Sequence, residues 1–520
     1  MKNIITLVAL LTFSPVVNAF NLDSLLIKSV GGKPALKSLK EMKTYATWGE
    51  VTLNGQKGHF VQYFVTPDKY YLRVNFGNFE MIQAYNGKIA WQKDLNGQIS
   101  YLKGFEKEEL IKNIYFESYA YLFPQKKKGD IIYQGTIEKD GNSYHKVAFI
   151  PFENDTLFAY YSLTDSLKKM TTSHLDQIST ITYVDDYRKV DNVLVPFYSK
   201  AVVKDASFST TFVADSIVIN QPVDTSLFEI STQPLQDFHF PNDVAKVDIP
   251  FIYRHGHIRL PVVINGKKKI WVILDSGASA NIFNKTIIDS LHLPEVGTLP
   301  AMGISGFEDV VLVKTDSLQI GSLTLYNQVV GKMNLDAVTY HTNNAYNFGG
   351  VIGFDFLSRF PILINYSETT LTVYNPDNFP TPPGGVEIPF HLTMQVPTVH
   401  GEINGVDGEF LVDLGNAFGL IIHKQFAQKN NLETKLHNIK KNPQLFGGIG
   451  GAIAGENALA DSFKIGDIMI NSLRVLLPDS AQGITGSAKI AGNIGNLILS
   501  KFKILFDYPH SRLIFYKSGK

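Results

Sequence analysis

The sequence predicts a mainly β protein in which an α+β, half-barrel-like domain precedes two similar β lobes. Apolar and polar residues alternate through much of the first half, and turn dipeptides such as Asn86-Gly87 separate the alternating stretches. The second half contains an internal repeat. At 520 residues the chain is also too long for one core of ordinary size. Several β domains are therefore expected.

Composition excludes several classes of function. Lys plus Arg and Asp plus Glu both number 48, so no basic surplus is available to bind a phosphate backbone, and nucleic acid is not an expected partner. The sequence contains no cysteine, which excludes disulfides, thiolate metal sites and cysteine nucleophiles. The hydrophobic fraction of 44% and the charged fraction of 18% are typical of a globular protein. Any catalysis must therefore use oxygen or imidazole groups.

The first 19 residues have the pattern of a secretory signal peptide. The apolar run from Ile4 to Phe13 is long enough for a signal core and well short of the roughly 20 residues that span a bilayer. Ala19 is a small residue at the expected cleavage position. We expect cleavage after Ala19, with a retained membrane anchor as the alternative. No later apolar stretch is long enough to cross a membrane, so the mature chain is expected to be exported, either periplasmic or secreted.

Residues 20–232 are predicted to form the half-barrel-like domain. Alternating strands run from about Tyr45 to Phe76 and continue through turns at Asn86-Gly87 and Asn96-Gly97. The stretch FEKEELIKNIYFESYAYLFP, residues 105–124, has the apolar spacing of a helix. Strands resume at Ile131 and run to about Ile230. One or two helices against a long meander of strands give an α+β or half-barrel plan.

Three stretches of this domain resemble the periplasmic lipoprotein-carrier fold, an open β half-barrel that cradles a hydrophobic ligand. They are AYNGKIAWQ, YRKVDNVLVPFYSKAVV and SIVINQPVDTSLFEIS. The resemblance implies a hydrophobic ligand in the N-terminal domain. The alternative is a β domain that shares the pattern and binds a protein or nothing. Residues 233–248 lack periodicity and contain two prolines, which predicts a linker.

The rest of the chain is a duplication. INGKKKIWVILDSGAS, residues 264–279, corresponds to INGVDGEFLVDLGNA, residues 403–417. The 22 residues from Gly353 align without gaps with the 22 residues from Gly495 and share nine of them. We place the two copies at 249–381 and 386–520, and we expect two like lobes around a pseudo-twofold axis.

Each copy presents one carboxylate at the end of an apolar strand. WVIL leads into Asp275-Ser276-Gly277, and FLV leads into Asp413-Leu414-Gly415. About 80 residues later, each copy has an apolar residue followed by glycine, at Gly353 and at Gly495. In the second copy Asn493 stands where an apolar residue is expected. A recurrence at matched places is stronger evidence than one tripeptide, although each aspartate alone could be a strand-end turn residue.

This combination resembles the aspartic proteases, in particular the retropepsin-like kind duplicated into one chain. The resemblance implies a bilobal double β-barrel in which Asp275 and Asp413 are catalytic and share a water. It also implies that Ser276, Gly277 and Gly415 support the dyad. Flaps are expected at two glycine-containing hairpins, with the candidate residues Gly303, Ser305, Gly306, Gly448, Gly450 and Gly451. The family needs no cofactor and no metal.

Paired aspartates have a physical basis for this chemistry. Two carboxylates about 3 Å apart cannot both ionise cheaply, so one proton is held between them. One member then acts as an acid while the other acts as a base toward a water that attacks an amide carbonyl. Glycine after each aspartate permits tight turns and close approach of the backbone.

Leu414 departs from the family pattern because it replaces a serine or threonine whose hydroxyl braces the dyad. The leading hypothesis is an exported aspartic endopeptidase that acts on a peptide or protein and is slow because of Leu414. The alternative is a non-catalytic periplasmic carrier that binds a lipid, a lipoprotein or another protein on a degenerate acid-protease scaffold. His255 and His257 are expected to be surface or turn residues, and Asp355 is expected to be structural. The glycine run from Gly447 to Gly455 lacks the spacing of a phosphate-binding loop.

Overall fold

The structure is a computed structural model, and it describes residues 20–153, 155–204, 206, 208–231, 235–242, 244–304, 306–335, 348–448 and 451–517. The predicted signal peptide, residues 1–19, lies outside the described residues. Within these ranges, no helix combines the length and the apolar character needed to cross a membrane. The described chain is mainly β, as predicted.

The N-terminal domain is one antiparallel sheet with three helices. The strands are β1 (Thr44–Leu53), β2 (Gln56–Val65), β3 (Lys69–Asn75), β4 (Glu80–Tyr85), β5 (Ala90–Lys93), β6 (Ile99–Leu102), β7 (Asp130–Lys139), β8 (Asn142–Phe152), β9 (Asp155–Ser162), β10 (Lys168–Leu175), β11 (Ile178–Val190), β12 (Val193–Val203) and β13 (Phe208–Ile219). The helices are α1 (Leu22–Ser29), α2 (Lys33–Glu41) and α3 (Gly104–Glu117), with 3-10 turns at Ala120–Leu122 and Thr225–Phe228. Among the described residues the strand order is β6-β5-β4-β3-β2-β1-β13-β12-β11-β10-β9-β8-β7. The helix predicted over 105–124 is confirmed as α3, which ends at Glu117.

One face of this sheet is covered by two different partners. Over part of it, Leu39 of α2 and Leu110 and Ile114 of α3 share a buried cluster with Phe64 and Tyr85. Farther along the same face, Val51 and Phe60 pack against Val296 and Leu312 from the first lobe. The face of the half-barrel is therefore filled by its own helices and by a lobe of the same chain.

The two lobes contain the remaining strands. The first lobe contributes β14 (Phe238–His239), β15 (Lys246–Pro250), β16 (Ile252–Arg254), β17 (His257–Ile264), β18 (Lys268–Leu274), β19 (Ile282–Asn284), β20 (Glu295–Met302), β21 (Phe307–Lys314), β22 (Ser317–Ile320), β23 (Leu323–Tyr326), β24 (Val329–Met333), β25 (Phe348–Ile352), β26 (Pro361–Asn365) and β27 (Thr370–Tyr374). The second contributes β28 (Val386–Pro389), β29 (His391–Thr393), β30 (Val396–Ile403), β31 (Val406–Val412), β32 (Leu420–Ile422), β33 (His437–Gly448), β34 (Gly451–Ile465), β35 (Ile468–Pro478), β36 (Gly492–Ile494), β37 (Phe502–Asp507) and β38 (Arg512–Lys517). Short helices are α4 (Lys285–Asp289), α5 (Phe354–Leu357), α6 (Lys424–Lys429) and α7 (Asn496–Leu499), with 3-10 turns at Pro376–Asn378, Leu432–Lys435 and Gly483–Gly486.

A sheet shared by both lobes carries the expected pseudo-twofold axis. Its order in the described chain is β15-β27-β26-β37-β38-β28, so β26 of the first copy pairs with β37 of the second. In this antiparallel pair Leu363 lies directly opposite Leu505. These two leucines occupy the same position in the 22-residue alignment, so the axis passes between them. The internal repeat is therefore confirmed as a structural symmetry.

The segment predicted as a linker, residues 233–248, contributes to the lobes. β14 pairs with β23 in the first-lobe sheet, and β15 pairs with β27 in the shared sheet. Strand edges in both sheets supply hydrogen-bonding partners, which explains how two short stretches of a segment without periodicity form strands. The predicted domain limits at 232 and 249 stay a prediction.

Both lobes position their aspartate in the same way. β18 runs parallel to β25, and Asp275 N–H donates to the Ile352 carbonyl at 2.9 Å. β31 runs parallel to β36, and Asp413 N–H donates to the Ile494 carbonyl at the same distance. The apolar residue before each predicted glycine is thus the backbone partner that fixes each aspartate at its strand end.

Candidate active site

The structure places the Asp275 and Asp413 carboxyl groups beside each other, where each affects the pKa of the other. The glycine after each aspartate faces the opposite carboxyl group. A Cβ atom at Gly277 would lie 2.5 Å from Asp413 Oδ1, and one at Gly415 would overlap the Asp275 carboxyl group. Close approach, and not a left-handed backbone, is therefore the reason that these two positions need glycine.

Ser276 joins the two loops through both of its hydrogen-bonding functions. Its Oγ donates to the Val412 carbonyl at 2.6 Å and accepts from the Leu414 N–H at 2.9 Å. Leu414 cannot return the equivalent bond because its side chain is apolar, and it is fully buried at 0% exposure in the core of the lobes. The Leu414 backbone carbonyl accepts a hydrogen bond from Asn496 Nδ2, which also donates to the Gly256 carbonyl. At the two positions that follow the aspartates, the loops are therefore joined by the hydroxyl of Ser276 from one side, with no matching hydroxyl on Leu414.

The two carboxyl groups have unequal surroundings. Asp413 Oδ1 accepts from the N–H groups of Gly415 and Asn416, at 2.9 and 3.1 Å, and Oδ2 accepts from Asn493 Nδ2 at 3.0 Å. Asp275 Oδ1 accepts from the Gly277 N–H at 2.8 Å. Donors favour the charged form of a carboxyl group. The geometry therefore favours the proton on Asp275 and the charge on Asp413.

The electrostatic surroundings agree with this division. Burial, and then the charge of Asp413, raises the pKa of Asp275 to about 8. Burial also raises the pKa of Asp413, but its hydrogen bond from Asn493 opposes that shift. A carboxyl pair of this kind holds one proton at neutral pH and titrates as a unit.

His423 supports the dyad through Asn493, and sequence reasoning missed it. Its Nε2 lies 2.8 Å from Asn493 Oδ1. Burial lowers the pKa of His423 to about 4, so the ring is neutral at pH 7. Because the Asn493 amide nitrogen donates to Asp413, its oxygen is the acceptor and His423 Nε2–H is the donor. Asn493 was visible in the sequence as a departure from the repeat, whereas a lone histidine on a buried strand end gave no signal.

The two predicted flap regions are hairpins whose tips meet. The β20–β21 hairpin turns at Gly303 and Gly306, where Gly303 N–H donates to the Gly306 carbonyl at 2.7 Å. In the β33–β34 pair, Gly448 lies opposite Gly451. Ile304 lies against Gly448, since a Cβ added there would be 3.2 Å from the Ile304 side chain. Ser305 and Gly450 lie outside the described residues.

The tip of the first hairpin is anchored in the second lobe. Ile304 packs against a cluster formed by Ile421, Ile453 and Leu476, and the Gly303 carbonyl accepts from the Ile484 N–H at 3.1 Å. The hairpins therefore bridge the two lobes on the side where the dyad faces a cavity. Their role as flaps stays a prediction.

A cavity of about 870 Å³ contains the dyad. Its walls come from both lobes, from the hairpin tips at Gly303 and Gly448, and from the sheet of the N-terminal domain. His255 and His257 also line it. His255 lies in a turn, as expected. His257 is instead the first residue of β17, and burial lowers its pKa to about 4. Within the described residues, no cluster of three or more His, Cys, Asp or Glu side chains could hold a metal ion.

Asp355 has the structural role predicted for it. Its Oδ2 accepts from the Asn281 N–H at 2.7 Å, and its Oδ1 accepts from Asn96 Nδ2 at 2.9 Å. Asn96 belongs to the turn between β5 and β6, so this carboxyl group ties the N-terminal domain to the first lobe.

Three solved structures are similar to parts of this chain. A DUF1329 family protein from Desulfovibrio piger is 9% identical, with a TM-score of 0.28, over 40% of this chain and 95% of its own. A domain from Vibrio parahaemolyticus that is named for outer membrane lipoprotein sorting is 8% identical, with a TM-score of 0.28, over 38% of this chain and 94% of its own. An aspartic proteinase from Irpex lacteus is 12% identical, with a TM-score of 0.34, over 52% of this chain and 97% of its own. A comparison with curated proteins finds no match.

The family described as aspartyl protease matches the chain in two separate segments, residues 260–356 and residues 399–496. The two segments fall one in each copy of the internal repeat. The first contains Asp275 and the second contains Asp413, so the family match covers both members of the carboxyl pair.

Proposed function

We propose that this chain is an exported aspartic endopeptidase that hydrolyses peptide bonds with Asp275 and Asp413. The observation that carries the proposal is the contact between the two carboxyl groups at a cavity wall, with Ser276 bracing one loop against the other. The aspartyl protease family match in both repeats supports it independently. The proposed substrate is a peptide or protein, and export rests on the signal-peptide pattern of residues 1–19.

The unequal surroundings of the dyad assign a role to each member. Asp413 is the base: it takes a proton from water while the water oxygen attacks the amide carbonyl carbon. Asp275 is the acid, and it donates its proton to the carbonyl oxygen, so a neutral tetrahedral diol forms. Asp413 then delivers its proton to the leaving nitrogen as the C–N bond breaks. Asp275 recovers a proton from one hydroxyl group, which restores the starting state.

The hairpins and the single hydroxyl brace of Ser276 both affect the rate of hydrolysis. Closed tips at Ile304 and Gly448 would exclude bulk water and strengthen the electrostatic interactions within the cavity. Of the two residues that directly follow the aspartates, Ser276 supplies a hydroxyl brace and Leu414 does not, so we propose that positioning of the two carboxyl groups is less strict than with two braces. Small losses of alignment cost large factors in rate. A slow peptidase is the expected consequence.

A non-catalytic carrier is the second candidate, because Leu414 places a core side chain where the family has a hydroxyl. Both candidates are tested by incubating the mature chain with a diverse peptide mixture from pH 3 to 9 and identifying products by mass spectrometry. The matched control is the Asp275→Asn chain. Cleavage by the wild-type chain alone supports the peptidase. Equal products from both chains, or none at any pH, favour the carrier.

A further inference from the structure

One face of the N-terminal sheet continues into the cavity of the dyad. Leu72 of β3 lies directly opposite Gln83 of β4, which lies opposite Gln92 of β5. Val74 lies opposite Met81. Directly paired residues project on the same side of a sheet, and so do residues two apart along one strand. These five side chains therefore form one surface, here called the sheet wall, and all five line the cavity that contains Asp275 and Asp413.

The sheet wall is largely apolar and is not fully packed. Leu72, Val74 and Met81 are half-buried, and they adjoin the buried cluster that joins the N-terminal sheet to Leu312 of the first lobe. Opposite them, the β20–β21 hairpin presents Leu299 to the same cavity. Partly exposed apolar side chains that enclose a space continuous with a reactive pair are suited to bind an apolar group.

Polar contacts hold the sheet wall in a fixed position relative to the dyad. Asn96 Nδ2 donates to the Val329 carbonyl at 2.9 Å, and Asn96 Oδ1 accepts from the Val329 N–H at 2.8 Å. On the other side, Asp94 Oδ2 accepts from Gln395 Nε2 of the second lobe at 3.2 Å. The N-terminal domain is thus bonded to both lobes beside the cavity. A wall fixed in this way can discriminate between substrates, because its shape does not adapt freely.

We propose that the sheet wall is a specificity subsite for a large apolar side chain, of leucine or phenylalanine size, on the peptide substrate. The proposal rests on the proposed function and extends it to a domain that the family match does not cover. Gln83 and Gln92 add amide groups that can hydrogen-bond to an extended peptide backbone beside that side chain. The half-barrel then acts as part of the peptidase cleft and not as a separate carrier.

The test changes the size of the subsite in both directions in the full mature chain. Leu72→Trp fills the space and Leu72→Ala enlarges it. The matched control is Val65→Trp, since Val65 is also half-buried but lies on the opposite face of the sheet. Circular dichroism and thermal melts verify folding. A cleaved peptide from the mixture is then resynthesised with Ala, Leu, Phe or Trp at each position in turn, and kcat/KM is measured.

At one position we expect wild-type kcat/KM to rise about tenfold or more from Ala to Leu or Phe. Leu72→Trp should remove that preference, whereas Leu72→Ala should shift the preference toward Trp. Val65→Trp should match the wild type. If hydrolysis persists with unchanged preference in both Leu72 variants, the subsite proposal is overturned while the peptidase stands.

A binding measurement separates this proposal from the proposed function. The same peptides are titrated by calorimetry into the Asp275→Asn chain, with and without Leu72→Trp. Weaker binding of Leu or Phe peptides, but not Ala peptides, when Trp is present supports the subsite even if the wild-type chain hydrolyses nothing. Equal affinities in the two chains overturn the subsite.

Discussion

Asn493 donates a hydrogen bond from Nδ2 to Oδ2 of Asp413 at 3.0 Å. The corresponding residue of the first repeat is Val351, whose side chain has no hydrogen-bond donor. The duplicated lobes therefore surround their aspartates differently, and the difference lies at Oδ2 of Asp413, which accepts from an amide side chain. This asymmetry gives each aspartate a distinct task in the proposed mechanism.

Asn493→Val should shift the acid limb of the pH–rate profile to higher pH. The amide donor stabilises the charged form of Asp413, so its removal raises the pKa of Asp413, and the base is lost at a higher pH as the solution is acidified. We also expect kcat to fall about tenfold to a hundredfold, because His423 loses its acceptor and the carboxyl group loses its orientation. The measurements are kcat and kcat/KM from pH 3 to 9. An unmoved acid limb would assign Asn493 a purely structural role.

Asp275→Asn and Asp413→Asn should each reduce hydrolysis by at least about a thousandfold and leave the fold intact, because a shared proton needs both carboxyl groups. Asp407→Asn is the control, since Asp407 is 74% exposed in the same lobe. Wild-type activity should fall as pH rises through about 8, where Asp275 loses the proton that it donates. Near-native turnover in either dyad variant would refute the mechanism.

The repeat made the dyad predictable, because the same strand-aspartate-glycine sequence appears twice and the aligned leucines Leu363 and Leu505 meet on the axis. The contribution of the N-terminal domain was not predictable. Asn96 precedes Gly97 in a turn dipeptide, and that turn is all that the local sequence indicates for Asn96. Its bonds to Val329 and Asp355 depend on residues more than 230 positions away, and no local pattern encodes such a distant partner.

Ser276→Ala should destabilise the lobes and lower activity together. The substitution leaves the Val412 carbonyl and the Leu414 N–H without their side-chain partner at a buried site, and each such group costs about 1–3 kcal/mol. We expect the free energy of unfolding to fall by about 2–4 kcal/mol, measured by urea denaturation. Ser276→Thr keeps the hydroxyl and is the matched control. Equal loss in both variants would show that volume, and not the hydrogen bonds, matters at this position.

Leu414→Thr should lower the stability of the chain and raise kcat. Leu414 is fully buried, so loss of apolar volume and burial of a hydroxyl cost about 1–3 kcal/mol. That cost lowers the melting temperature without unfolding a chain of this size. The new hydroxyl can supply the second brace between the dyad loops, and we expect kcat to rise. If the variant unfolds and the wild-type chain hydrolyses no peptide at any pH, Leu414 serves only as core packing and the carrier is the better description.

Glu106 gives the contact between the N-terminal domain and the second lobe a dependence on pH. It lies in the first turn of α3 and accepts a hydrogen bond from the Met394 N–H at 3.1 Å. Burial raises the pKa of Glu106 to about 7, and the bond from Met394 opposes that shift in part. A raised pKa means that the folded chain binds this proton more tightly than the unfolded chain does. The contact is therefore most stable below about pH 4.5, and it weakens as pH rises from there through 7.

Glu106→Gln removes this titration and keeps an oxygen that can accept from Met394. At pH 8 the wild-type chain must hold a buried carboxylate at the contact, whereas the glutamine is neutral, so we expect the variant to be more stable by about 1–3 kcal/mol. At pH 4.5 most of that difference should disappear, because the wild-type side chain is then protonated. Thermal melts at both pH values measure the effect, and Glu108→Gln on the exposed side of α3 is the control. A stability gain of the same size at both pH values, or a gain shared by the Glu108 variant, would contradict a buried titrating group between the domains.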